Sequence, residues 1–320
     1  MSEQNYNLAF VFPGQGSQSV GMLSELAGAF PLVKQVFEQA SDCLAFDLWK
    51  LVQQGAIEDL NQTHNTQPAM LAAGVAMWRV WCEQTDVRPG WMAGHSLGEY
   101  SALVCSEAIS FEDGVSLVAE RGRLMQEAVP VGVGAMAAII GLEDHVVVKI
   151  CADNAENEVV SAVNFNAPGQ VVIAGHADAV VRAMAAAKAT GAKRALKLPV
   201  SVPSHCALMM SAAENLAETL KGIHIDIPNK TIIHNVDVAS HNAAEVIRNA
   251  LKEQLFKPVR WVDGIKYMHD QNVVNFVECG PGKVLMGLNR RIVKQANHMT
   301  MYDPTTLEKT IDQLSGAFDG

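Results

Sequence analysis

The segment that most restricts the fold of this chain is Gly94-His95-Ser96-Leu97-Gly98. A short apolar strand, Trp91 to Ala93, runs into it, and Glu99 to Cys105, with helix-like spacing, runs out of it. Glycines on both sides of Ser96 permit a turn too sharp for residues carrying a Cβ, and such a turn lifts the serine oxygen clear of the end of a sheet. Leu8 to Phe12 repeats the theme: a buried strand broken by Pro13-Gly14-Gln15-Gly16-Ser17 before an apolar-periodic stretch from Val20 to Ala40. Phe111 to Gln126 is a further helical pattern. Strands alternating with helices imply a mostly parallel sheet covered on both faces.

From Gly134 the rhythm changes. Strand Ala135 to Ile140, helix Asp144 to Ala155, strands Val159 to Asn164 and Gln170 to Ala174, helix Ala177 to Thr190 and strand Arg194 to Leu198 follow in order. That order is βαββαβ, the ferredoxin-like unit. Pro130-Val131-Gly132 and Pro199 to Pro203 read as hinges into and out of it. Beyond them the α/β pattern resumes: helix Ala207 to Leu220, strand Thr231 to Val236, helices Ala243 to Leu255 and Val262 to Gln271, strand Val273 to Val277, and helix Val284 to Gln295 after the turn Gly280-Pro281-Gly282. The expected fold class is therefore α/β. Residues 1–129 and 200–320 form a large α/β-hydrolase-like domain with a parallel sheet, and residues 130–199 form an inserted ferredoxin-like subdomain. A chain of 320 residues, 49% hydrophobic and 18% charged, can bury cores of this size. The cleft between the two parts is the expected ligand site.

A formal net charge of -10 argues against nucleic acid as a partner, because neutralising phosphates needs a basic surface. Two local basic patches stand out, Lys188, Lys193, Arg194 and Lys197, and Lys283, Arg290, Arg291 and Lys294. Such patches are ordinary solvated surface unless the ligand is anionic. No apolar stretch is long enough to span a bilayer, and the polar start, Met1 to Asn7, gives no reason to expect export. Six scattered cysteines without a CxxC pair fit reduced thiols rather than a disulfide or zinc framework, so the expected compartment is cytoplasmic, with no metal.

Ser96 at the centre of this turn has the setting of a covalent nucleophile, since the helix behind it aims backbone N–H groups at an oxyanion formed there. A serine needs a base within hydrogen-bond reach. Among ten histidines, His95 is a weak candidate because adjacent side chains on such a turn diverge, and His205, after the rigid Val202-Pro203-Ser204, can enter a cleft at the domain junction. Spacing alone does not choose between the histidines. The loop Gly14-Gln15-Gly16 lacks the Lys-Ser or Lys-Thr of a phosphate-binding loop, and either closes a tight strand-to-helix turn or lends a second oxyanion donor. Arg121, in Glu120-Arg121-Gly122, reads in isolation as an ordinary helix surface charge.

Together these pieces resemble the malonyl-CoA:acyl-carrier-protein transacylases of bacterial type II fatty acid synthesis, close to the proteobacterial type. The resemblance spans nearly the whole chain. It rests on Phe12-Pro13-Gly14-Gln15-Gly16-Ser17-Gln18, Gly94 to Leu103, Arg121-Gly122, Asn164-Phe165-Asn166, Gly169 to Gly175, Val202-Pro203-Ser204-His205 and Gly280-Pro281-Gly282-Lys283. It implies Ser96 as nucleophile and His205 as its base, with the N–H groups of Gln15 and Leu97 as oxyanion hole and Arg121 gripping the malonyl carboxylate. A main-chain carbonyl near Gln254 would orient the histidine in place of a triad acid. Asn166, Gln170, Lys193 and Arg194 would contact the CoA arm, and the patch from Lys283 to Lys294 would dock acidic acyl carrier protein. The resemblance implies no cofactor, malonyl-CoA being a substrate, and a monomer. The rival readings are a serine hydrolase that passes the acyl group to water and a non-catalytic partner of carrier protein.

Overall fold

The computed structural model describes residues 4–200 and 202–315; Met1 to Glu3 of the polar start, Ser201 of the second hinge and residues 316–320 lie outside the described residues. In chain order the first part runs β1 (Gln4–Phe12), α1 (Ser24–Ala29), α2 (Leu32–Leu44), α3 (Leu48–Gln54), α4 (Ile57–Leu60), α5 (Thr63–Gln84), β2 (Arg88–Gly94), α6 (Gly98–Cys105) and α7 (Phe111–Ala128). The middle holds β3 (Gly134–Ile140), α8 (Asp144–Asn154), β4 (Val160–Ala167), β5 (Gln170–His176), α9 (Ala177–Ala189) and β6 (Arg194–Lys197). The last part is α10 (Met210–Lys221), β7 (Thr231–Ile233), α11 (Ala244–Gln254), α12 (Trp261–Asp270), β8 (Asn275–Glu278), α13 (Val284–Ile292), β9 (Asn297–Thr300) and α14 (Pro304–Ser315).

The large sheet has the order β7-β2-β1-β8-β9, with every pairing parallel. β1 sits at its centre and is buried on both faces. Leu8, Phe10 and Phe12 point into one core with α2, α5, α6, α7 and α10, and Ala9 and Val11 point into another with Trp261, Phe276 and Leu285. This is why Leu8 to Phe12 is an uninterrupted apolar run. Phe10 meets Trp81 of α5 edge-on, with centroids 5.1 Å apart.

α5 is the longest helix of the described residues and was not foreseen. It is buried almost all round from Thr66 to Ala76, so it lacks the polar face that makes a helix visible as a periodic pattern. The stretch Val20 to Ala40, expected as one element, divides into α1 and α2 at Phe30-Pro31, where Phe30 is extended as a residue before proline prefers. β9 and α14 also escaped the sequence reading. β9 is the polar edge strand Asn297-His298-Met299-Thr300, with neither alternation nor an apolar run to mark it.

The second sheet, order β4-β5-β3-β6, is antiparallel throughout, with α8 and α9 packed on it. Its first and third strands are central, as the ferredoxin-like unit requires. It is stitched to the large part by backbone: Phe165 N–H donates to Val259 O at 3.0 Å, and Val259 N–H donates to Val163 O at 2.8 Å. Arg291, at the end of α13, adds bonds to Pro168 O at 3.0 Å and to Gln170 Oε1. All six cysteines are free, and no helix among the described residues is long and apolar enough to cross a membrane.

Candidate active site

The turn after β2 has the geometry its glycines demand. A Cβ on Gly94 would lie 1.8 Å from the Gly98 carbonyl carbon, and one on Gly98 would lie 1.9 Å from Phe12 O. Only glycine lets strand, turn and helix pass this closely. Ser96 itself is left-handed, at φ 52°, a conformation that costs a residue with a side chain about 1–3 kcal/mol and must be held by its surroundings. Asn235 holds it. Its Oδ1 accepts from the Ser96 N–H at 2.7 Å while its Nδ2 donates to Gly94 O at 2.7 Å, so one side-chain amide closes the turn from outside.

That duty explains a difference in β7. The strand expected over Thr231 to Val236 ends at Ile233, because His234 and Asn235 leave the sheet to bond Glu99 and the turn. Asn235 was missed as a functional residue, and nothing local in Ile233-His234-Asn235-Val236 marks it.

His205 is also left-handed, at φ 67°, with its N–H bonded to Leu255 O at 2.8 Å. Its Nε2 lies 2.8 Å from Ser96 Oγ, and its Nδ1 lies 2.6 Å from the main-chain oxygen of Gln254. A carbonyl oxygen only accepts, so Nδ1 carries the proton and Nε2 faces the serine as an acceptor. The contact has the geometry that a serine nucleophile and its base require, with the histidine oriented by main chain rather than by a carboxylate. His95 turns the other way: its Nε2 lies 2.7 Å from Asn166 Oδ1, and its ring leans on Trp261.

Arg121 reaches the same place from α7. Gly122 permits this, since a Cβ there would lie 2.6 Å from the His64 Cα of α5. Arg121 is 1% exposed, and its guanidinium crosses the face of Tyr100 at 5.2 Å. Nη1 donates to Gln67 Oε1 at 2.7 Å, and Nη2 donates to Gln254 Oε1 at 3.0 Å and towards Ser96 Oγ at 3.3 Å. Among the described residues it has no carboxylate partner, and its Nε has no acceptor. Burial holds its pKa below the ordinary arginine value, yet a guanidinium stays charged across the working range. A buried cation beside the Ser96 oxygen, with two neutral amides as its acceptors, can receive an anion. Gln67 was also missed; its only sequence signal is a polar residue directly before the apolar run from Pro68 to Ala76.

Ser96, His95, His205, Arg121 and Gln67 line a cavity of about 170 Å³ between the two sheets, joined by Gln15 and Leu97, by Met136, Asn164 and Val172 of the small sheet, and by Leu198 just after it. Neither the Gln15 nor the Leu97 N–H donates to a protein acceptor among the described residues. Asn166 lines the cavity too. Gln170 does not, being engaged by Arg291, and Lys193 and Arg194 lie exposed on and beside the edge strand β6, away from the cavity wall.

Burial, and next the positive charge of Arg121, push the pKa of His205 from 6.5 down to about 3. The imidazole is therefore neutral and ready as a base through the physiological range. The folded value lies below the unfolded one, so this group withdraws stability as pH falls from 6.5 towards 3. If His205 is the base for acylation of Ser96, that reaction with a thioester whose acyl group has no titrating carboxyl, such as acetyl-CoA, is expected to stay level as pH falls through 6.5 to about 5, measured as kcat/KM. A half-maximal loss near 6.5 would contradict this.

The family described as acyl transferase domain matches residues 9–308. A malonyl CoA-acyl carrier protein transacylase of Salmonella typhimurium is 55% identical over 305 residues, covering 95% of this chain and 99% of the relative. The chain belongs to the malonyl-CoA:acyl-carrier-protein transacylase family. Among solved members, that of Coxiella burnetii superposes with a TM-score of 0.95 at 51% identity, covering 98% of each chain. A malonyl-transacylase solved in complex with a type II PKS acyl-carrier protein superposes with a TM-score of 0.95 at 54% identity, covering 96% of this chain and 99% of that one.

Proposed function

We propose that this acyltransferase moves the malonyl group from malonyl-CoA to the phosphopantetheine thiol of acyl carrier protein, through a malonyl ester on Ser96, in fatty acid biosynthesis. The observation that carries the choice of acyl group is Arg121: a buried guanidinium, without an acid partner among the described residues, 3.3 Å from the Ser96 oxygen. His205 takes the Ser96 proton as the oxygen attacks the thioester carbonyl. The N–H groups of Gln15 and Leu97 bond the oxyanion, each lowering the barrier by about 2.7–4 kcal/mol. The C–S bond breaks, His205 returns the proton to the leaving CoA sulfur, and malonyl-Ser96 remains. In the second half-reaction His205 deprotonates the carrier-protein thiol, which attacks the ester carbonyl, and Ser96 regains its proton. The order is ping-pong, both halves sharing one site.

The same reading assigns Gln254 to hold the histidine, and Asn166, Gln170, Lys193 and Arg194 to the CoA arm. Gln170 serves there only if it leaves Arg291. Lys283, Arg290 and Lys294 are the basic face for acidic carrier protein, with Arg291 partly occupied in joining the two sheets. Residues 1–129 and 200–320 form the catalytic domain, and residues 130–199 form the inserted subdomain. No cofactor or metal is assigned, and a cytoplasmic monomer completes the reading.

The test separates thiol from water as acceptor. Malonylated protein, freed of malonyl-CoA, is expected to keep its acyl group in buffer and to lose it promptly when carrier protein bearing phosphopantetheine is added, with malonyl-carrier protein as product. Rapid loss to free malonate in buffer alone would favour a hydrolase.

A further inference from the structure

Gln254 holds both the Arg121 guanidinium and the serine turn, and an acid in turn holds Gln254. Glu99, in the first turn of α6, is fully buried behind Ser96. Its Oε2 accepts from Gln254 Nε2 at 2.8 Å and from the Asn235 N–H at 3.0 Å, and its Oε1 lies 2.7 Å from His234 Nδ1. A carboxylate has no hydrogen to give, so Gln254 must present its NH2 group to Glu99. The amide oxygen is then left to accept from Arg121 Nη2 at 3.0 Å, and the amide nitrogen also donates to Ser96 O at 3.0 Å. A reversed amide would set donor against donor at Arg121. The main-chain oxygen of the same Gln254 orients His205, and Asn235, whose N–H Glu99 anchors, closes the serine turn.

His234 is the other side of this arrangement. Its side chain is wholly buried, its ring stacks on His241 with centroids 5.0 Å apart, and its Nε2 has no partner among the described residues. Among the described residues its one side-chain hydrogen bond is to Glu99.

We propose that Glu99, backed by His234, is a positioning residue of the transfer reaction: by fixing the Gln254 amide it aims Arg121 at the acyl carboxylate. This rests on the functional reading of Ser96 and Arg121 given above. Glu99 touches no substrate and acts through Gln254 and Asn235.

The test is the ratio of kcat/KM for malonyl-CoA to that for acetyl-CoA in acylation of Ser96, with melting temperature followed in parallel. Glu99→Gln keeps an acceptor oxygen for Gln254 and Asn235, and His234 can accept from the new NH2 in its other tautomer, so the ratio is expected to stay close to that of the unaltered protein. Glu99→Leu removes the acceptor, and the ratio is expected to fall about tenfold or more as Arg121 loses its aim. Glu99→Leu with His234→Leu relieves the orphaned imidazole and is expected to regain melting temperature while the ratio stays low. A merely structural role predicts that the ratio recovers with the melting temperature. The proposal is overturned by an unchanged ratio in Glu99→Leu or the double variant, or, if neither folds, by a tenfold fall in Glu99→Gln. Failure of the underlying reading shows separately, as unaltered protein that takes no malonyl group on Ser96.

Discussion

Arg121→Ala is expected to leave Ser96 open to acylation while collapsing its preference for malonyl-CoA over acetyl-CoA. Each charge-assisted bond from a guanidinium to a carboxylate contributes about 1.5–3 kcal/mol, so a two-bond fork sets a preference of about 10² to 10⁴. Among the described residues the pocket offers an acyl carboxylate no other cation, since the remaining lining residues are neutral side chains such as Gln67, Met125, Met136 and Asn166. A competition assay with both thioesters measures it. Arg121→Lys is expected to recover only part of the preference, because an ammonium carries the charge without the planar fork. An alanine variant that still selects malonyl as strongly as the parent would remove Arg121 from the account.

His205→Ala is expected to slow acylation by about 10² to 10⁴ with little change in KM, the range that a positioned base contributes to a proton transfer. The imidazole touches the serine oxygen at 2.8 Å and contributes no charge to ground-state binding, being held neutral by burial and by Arg121. Stopped-flow release of CoA in a single turnover isolates this step. A rise in KM with kcat untouched would make His205 a binding residue instead.

The parts of this site legible in the sequence are the local ones. The turn around Ser96 is written within five consecutive residues, because glycine at 94 is a steric demand of the turn itself, while glycine at 98 also answers to the Phe12 carbonyl of β1. The ferredoxin-like unit was legible because β3 to β6 and their helices follow one another without interruption. The base was not. His205 lies 109 residues from Ser96 in the chain, and no spacing rule joins them; the fold does so by bringing the loop after the second hinge over the end of β2. Asn235 is 139 residues from the serine it braces, and Gln254 is 133 from the arginine it holds. Such polar residues in ordinary helical or turn contexts become functional only through contacts the sheet arranges. Glu99 carried a faint signal, a lone acid in an otherwise uncharged helix, whose buried position only the three-dimensional arrangement reveals.

The central claim is that Ser96 carries the acyl group. Intact-mass measurement after brief exposure to malonyl-CoA tests it directly. The account predicts a gain of one malonyl group per chain, located on the peptide containing Ser96, and no gain in Ser96→Ala. A malonyl adduct that persists in Ser96→Ala, or one located on another residue of the unaltered protein, would contradict it.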